Sequence, residues 1–97
     1  MTCSNCEEFH EPRPIRVPAD LTAAILSLQA AVADNRLAVL PVHSIHAGAD
    51  FSTLEIHGPW EDLIQNAFQC VRCGQRYLLT AETYHGRGGS LKAVSHV

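Results

Sequence analysis

Long apolar runs are missing from these 97 residues. The best candidate, Leu21 to Val32, is broken by Thr22, Ser27 and Gln29, well short of the 18 or so apolar residues that span a bilayer, which excludes a membrane-spanning helix. The first twenty residues also lack the basic start and apolar stretch of a secretory signal, carrying Glu7, Glu8 and Glu11 instead. A cytoplasmic location is therefore expected. Basic residues are in the minority, with 7 Lys and Arg against 10 Asp and Glu and a formal charge of -3. Such a chain has no general attraction for a phosphate backbone. Only five prolines and six glycines are present, so the composition is neither collagen-like nor disordered. HExxH, GxSxG and an ordered Ser, His, Asp set are absent, leaving hydrolase chemistry unsupported.

What is present suits one small folded domain over residues 1–97. The composition is 46% hydrophobic and 18% charged, and the length matches a single core. Charge is unevenly placed. From Val71 onward Arg72, Arg76, Arg87 and Lys92 face the single acid Glu82, a balance of +3, whereas residues 1–70 hold nine acids against three arginines, or -6.

Residues 11–18 carry three prolines in eight positions, which predicts an extended, polyproline-like linker. At about 3.1 Å per residue it reaches roughly 25 Å, making residues 1–18 an extended arm. Asp20 is the expected N-cap of a helix over 19–35 whose core stripe is Leu21, Ile25, Leu28 and Val32, with Ala24 and Ala31 beside it and Asn35 as its stop. Residues 37–97 read as mainly β. Leu37 to Val42 is a short strand that Pro41 confines to an edge, and the alternation Leu54, Glu55, Ile56, His57 predicts a second, ended by Gly58 and Pro59. The spacing of Trp60, Leu63, Ile64, Ala67 and Phe68 predicts one short helical turn that then gives way to strand. Tyr77 to Tyr84 and Leu91 to Ser95 complete an antiparallel meander. The expected fold class is α+β, one amphipathic helix on a mostly antiparallel sheet.

Four cysteines fall as two CxxC pairs, Cys3 with Cys6 and Cys70 with Cys73. In a reducing compartment that pattern favours a metal over disulfides. Cys70-Val71-Arg72-Cys73-Gly74 is the stronger half, because two thiolates on one tight turn need a glycine just after the second to adopt a positive φ. With a strand on each side, this pair sits at a hairpin tip. Here the chain resembles the zinc-ribbon class, in which two CxxC knuckles pin one tetrahedral Zn²⁺. The resemblance covers Cys3, Cys6 and roughly residues 68–95, and it implies that Cys3, Cys6, Cys70 and Cys73 share one structural zinc. Two departures accompany it. The pairs are 63 residues apart, far beyond a compact site, and Cys6 is followed by Glu7 rather than glycine. Buried free thiols, a mixed Cys and His site and a redox dithiol are the alternatives. The last of these needs a helix opening at the CxxC, where Gln75 to Tyr84 reads as strand.

A zinc with four thiolates has no open position for substrate, so an enzyme would need a separate site. The expected function is a small zinc-stabilised module that binds another protein, as an inhibitor, immunity or regulatory partner of a bacterial type of cell. The candidate binding residues are Tyr84, His85 and Arg87 in the glycine-rich run 82–89, where an aromatic ring, an imidazole and a guanidinium gather at a loop. Two other functions remain open: an enzyme or ligand-binding domain using His57, Tyr84 and His85, and local nucleic-acid contact through Arg72, Arg76, Arg87 and Lys92. The basic residues equally suit neutralisation of a zinc tetrathiolate, a unit of charge -2. For His43 and His46 an ordinary surface or core role is expected.

Overall fold

The computed structural model describes residues 3–41, 51–60, 62–83 and 88–95. Among them are one α-helix, α1 (Pro18–Ala33), and five strands, β1 (Arg13–Ile15), β2 (Leu37–Leu40), β3 (Leu63–Cys70), β4 (Arg76–Glu82) and β5 (Gly88–Val94), with short 3-10 turns at Glu7–Phe9 and Phe51–Thr53. The strands form one antiparallel sheet in the order β1-β5-β4-β3-β2. This is the expected α+β class, with β2 to β5 as the meander and β2 at an edge that ends just before Pro41.

The helix begins earlier than the sequence suggests. Val17 is its N-cap and Pro18 its first residue, a position where proline's missing N–H costs nothing and its fixed φ suits the helix. Asp20 is therefore the third helical residue rather than the cap. Its Oδ2 accepts the N–H of Arg16 at 2.9 Å and of Val17 at 3.3 Å, and its own N–H donates to the Val17 carbonyl at 3.0 Å. At the other end Asn35 stops the helix as expected, at φ 60°. The N–H of Asn35 reaches the Val32 carbonyl at 3.1 Å and that of Arg36 the Ala31 carbonyl at 2.9 Å, the paired bonds of a Schellman ending.

Leu21, Ala24, Ile25, Leu28 and Ala31 are buried, with Val32 packed at the margin of the core. They meet the face of the sheet that carries Ile64, Phe68, Tyr77, Leu79 and Leu91. Phe51 closes edge-on against Phe68 at 4.8 Å and 90°.

Three further sequence expectations are corrected. The 11–18 linker contains β1, which pairs with β5 from Arg13↔Leu91 to Ile15↔Gly89; at a sheet edge Pro14 leaves no ladder donor missing. Leu54 to His57 is no strand. The Glu55 carbonyl accepts Trp60 Nε1 at 2.7 Å and the Ile56 carbonyl accepts Thr22 Oγ1 at 2.7 Å, so the alternation records an inward-facing Leu54 and half-buried Ile56 in a loop. Among the described residues no helical turn leads into β3, which is already strand at Leu63 with Ile64, Asn66 and Phe68 turned to the core. As expected, the run 82–89 leaves a strand, with Glu82 the last residue of β4, while β5 opens in register with it at Gly88, ahead of the expected start near Leu91. A Cβ on Gly89 would lie 1.9 Å from the Thr80 carbonyl oxygen, so this glycine is required by a close approach between strands. Tyr84, His85 and Arg87, like His43 and His46, lie outside the described residues.

Candidate metal centre

Two unrelated stretches of backbone carry the cysteines to one place. In the arm, the Cys6 N–H closes a turn on the Cys3 carbonyl at 3.3 Å, and the following 3-10 turn is tied by Phe9 N–H to the Cys6 carbonyl at 3.0 Å. Phe9 anchors this turn. It is buried against Tyr77 with ring centroids 5.8 Å apart, and the Arg13 guanidinium covers it at 5.6 Å. Cys70 ends β3 and Val71 to Cys73 turn back toward β4, the Cys70 N–H donating to the Gln75 carbonyl at 2.8 Å and the Gly74 N–H to the Cys70 carbonyl at 3.0 Å. Gly74 stands at φ 81°, as the motif requires.

One carbonyl joins both pieces to the helix. The Schellman ending orients Arg36 so that its oxygen accepts Asn5 Nδ2 at 3.0 Å and the Val71 N–H at 3.1 Å. The Arg36 side chain also pairs with Glu8 in the arm and with Asp34 at 3.7 Å.

The four sulfurs of Cys3, Cys6, Cys70 and Cys73 consequently lie within 4.8 Å of one another, a group able to hold a metal ion. Cys3 and Cys70 are 3.9 Å apart and Cys6 and Cys73 3.6 Å apart. These separations are far outside the roughly 2.05 Å of a disulfide, and all four cysteines are free. Cys6 and Cys70 are buried, Cys3 is half-buried and Cys73 is exposed.

Their surroundings treat the thiols unequally. Burial pushes the Cys6 thiol up to about 12, with the Tyr77 hydroxyl pulling the other way and the thiols of Cys70, Cys73 and Cys3 adding to the rise. Burial opposes ionisation of Cys70 too, but hydrogen bonds from Asn5, from the backbone N–H groups of Cys73 and Arg72 and from the Cys6 thiol outweigh it, bringing Cys70 down to about 6. Asn5 Nδ2 stands 3.4 Å and the Cys73 N–H donor 3.5 Å from the Cys70 sulfur. The Tyr77 hydroxyl is held far above its ordinary range by burial and then by the Cys6 sulfur beside it. The two are close enough to shift each other's ionisation without the geometry of a completed hydrogen bond.

All four sequence-nominated cysteines thus come together. Three further residues of the site escaped the sequence reading: Asn5, His10 and Tyr77. His10 Nε2 is 3.4 Å from the Cys6 sulfur, and its only sequence signal is a four-residue offset from a cysteine. His57 is exposed in the turn before Gly58. Arg72 and Lys92 are exposed and Arg76 half-buried. No helix among the described residues is long and apolar enough to cross a membrane. Comparison with protein-family models, curated proteins and solved structures yields no match.

Proposed function

We propose that Cys3, Cys6, Cys70 and Cys73 hold one structural Zn²⁺ in a zinc-ribbon-like end, and that the domain so stapled is an interaction module for another protein. The sulfur geometry carries the metal part. With Zn–S bonds near 2.3 Å, a tetrahedral site spaces its sulfurs about 3.8 Å apart, and the two cross-pairs of this cluster stand at 3.6 and 3.9 Å. A soft, four-thiolate donor set selects zinc over hard cations. It also fills every tetrahedral position, which suits a structural ion rather than a catalytic one.

The knuckle tip favours a protein partner. Val71 there is 58% exposed, and it stands with Ala38, Gln69, Arg72 and Gly74 around a shallow depression over the cysteines. An exposed aliphatic side chain beside an arginine, held on a rigid turn, suits a small protein contact. Tyr84, His85 and Arg87 are a second set of contact residues in this proposal.

Elemental analysis and native mass of protein prepared without chelator test the metal, with one zinc per chain expected and no stoichiometric metal refuting it. Val71→Asp, Arg72→Glu, Tyr84→Ala and Arg87→Ala test the contact. Each should retain zinc and fold while weakening capture of a partner that the unaltered protein retains; undiminished capture by all four removes both surfaces.

A further inference from the structure

Tyr77 is the largest fully buried side chain among the described residues, at 0% exposure, and its hydroxyl has no hydrogen-bond partner. An enclosed hydroxyl without a partner costs on the order of 1–3 kcal/mol. Phenylalanine would supply the same ring against Phe9 and the same position opposite Phe68 in the ladder without that cost, so the oxygen calls for an acceptor. Cys6 lies in the same buried cluster, and Phe9, whose ring packs on Tyr77, donates its N–H to the Cys6 carbonyl at 3.0 Å, which brings the Cys6 sulfur to this side of the ring.

A neutral thiol is a poor acceptor and a thiolate a strong one. The acceptor that Tyr77 lacks is created when Cys6 gives up its proton to bind a metal. We propose that the Tyr77 hydroxyl donates a hydrogen bond to the Cys6 sulfur in its metal-bound thiolate form, making Tyr77 a positioning residue of the metal centre. This rests on the proposed metal site.

The distribution of donors agrees. Cys70 already receives Asn5 Nδ2 and the Cys73 N–H. Cys6 is as buried as Cys70, at 0% against 1% exposure, and His10, which approaches its sulfur at 3.4 Å, is itself exposed. On its buried side the negative charge of Cys6 has the Tyr77 hydroxyl to stabilise it. Such outer hydrogen bonds fix the ligand's orientation and temper the charge a metal thiolate cluster carries into a low-dielectric interior.

The test compares the unaltered protein, Tyr77→Phe and Phe9→Leu, each loaded with zinc and separately with cobalt(II). Tyr77→Phe removes one oxygen and no packing, whereas Phe9→Leu disturbs the packing on the same ring and leaves the oxygen. Tyr77→Phe should bind zinc about tenfold more weakly in competition with a chromogenic chelator, and its thiolate-to-cobalt charge-transfer band should move to longer wavelength as the sulfur becomes more electron-rich. Phe9→Leu should lower thermal stability and leave the band in place. Wild-type zinc affinity together with an unmoved band in Tyr77→Phe overturns the inference while leaving the metal site intact; an unaltered protein that binds neither ion overturns the metal reading and the inference with it. Should Tyr77→Phe fail to fold, the unaltered protein loaded with cadmium-113 decides the matter. A slowly exchanging Tyr77 hydroxyl proton coupled to cadmium through the Cys6 sulfur is expected, and a freely exchanging, uncoupled one refutes the hydrogen bond.

Discussion

The two ends of the sheet are built on different principles. At the far end, the start of α1 meets the close of β4 and the opening of β5 around a cavity of about 160 Å³ lined by Ile15, Val17, Leu21, Trp60 and Ala81. Apolar packing and a tight glycine contact hold it. At the cysteine end, about seven residues of strand away or roughly 20 Å, three pieces of chain from distant parts of the sequence converge on sulfurs, one shared carbonyl and an Arg36 to Glu8 ion pair. Exposed ion pairs contribute little, so in the proposed reading the junction depends on a metal held by the sulfurs. The proposal is that a domain of this size relies on its own core at one end and on a bound metal at the other.

The sharpest way to break that contrast is to deprive the proposed site of its metal. Structural zinc in small domains contributes apparent binding free energies of about 10–16 kcal/mol, comparable with a domain's whole stability. Cys3→Ser, Cys6→Ser and Cys70→Ser should therefore each abolish stoichiometric zinc and lower the melting temperature to a similar degree, despite the place of Cys3 and Cys6 in an arm. Hydrogen exchange during chelation should show protection lost around residues 3–9 and 70–75 before Leu79 and Leu91. Loss that begins at the far end would reverse the comparison.

A substitution confined to the far end should have the opposite profile. Gly89→Ala drives a methyl group into the Thr80 carbonyl and should cost about 2–3 kcal/mol in denaturant unfolding, with zinc stoichiometry unchanged. The cysteine end answers to pH as well. Cys6, pushed up to about 12, still holds its proton at neutral pH, whereas Cys70, drawn down to about 6, has lost its proton. Between pH 7 and 9 metal binding must expel the Cys6 proton, so zinc affinity should rise with pH by at least about tenfold per unit, or about 1.4 kcal/mol. Chelator competition across that range, with calorimetry in two buffers of different ionisation enthalpy to count the protons released, measures the slope. A flat profile would show that Cys6 is not displaced. The smallest effect is expected from Asp20→Ala, which removes the acceptor for the Arg16 and Val17 N–H groups and should cost about 1 kcal/mol of thermal or denaturant stability without touching the metal.

Legibility in the sequence follows from how local each cause is. The helix stripe from Leu21 to Ala31, the stop at Asn35 and the positive φ of Gly74 depend on neighbours within a few residues, and all three were readable. Leu54 to His57 and the Trp60 to Phe68 spacing misled because a period reports which side chains face the core, and a loop or a strand can present the same ones. Asn5 carried no signal, since both of its partners, Arg36 and Cys70, are more than thirty residues away. Tyr77 read as an ordinary strand aromatic until its hydroxyl was found enclosed beside Cys6.

By itself the sequence determined the class of the fold, the helix and its stop at Asn35, the two cysteine pairs and their preference for metal, because those follow from residue type and short-range spacing. Only the tertiary structure decided that pairs 63 residues apart in sequence share one site. A strand hidden in the proline-rich segment, a helix ending in the left-handed conformation and the carbonyl of Arg36 together set where the arm crosses the hairpin. Backbone hydrogen bonds of that kind are made by every residue type alike, so their partners are chosen by packing rather than written in the side chains.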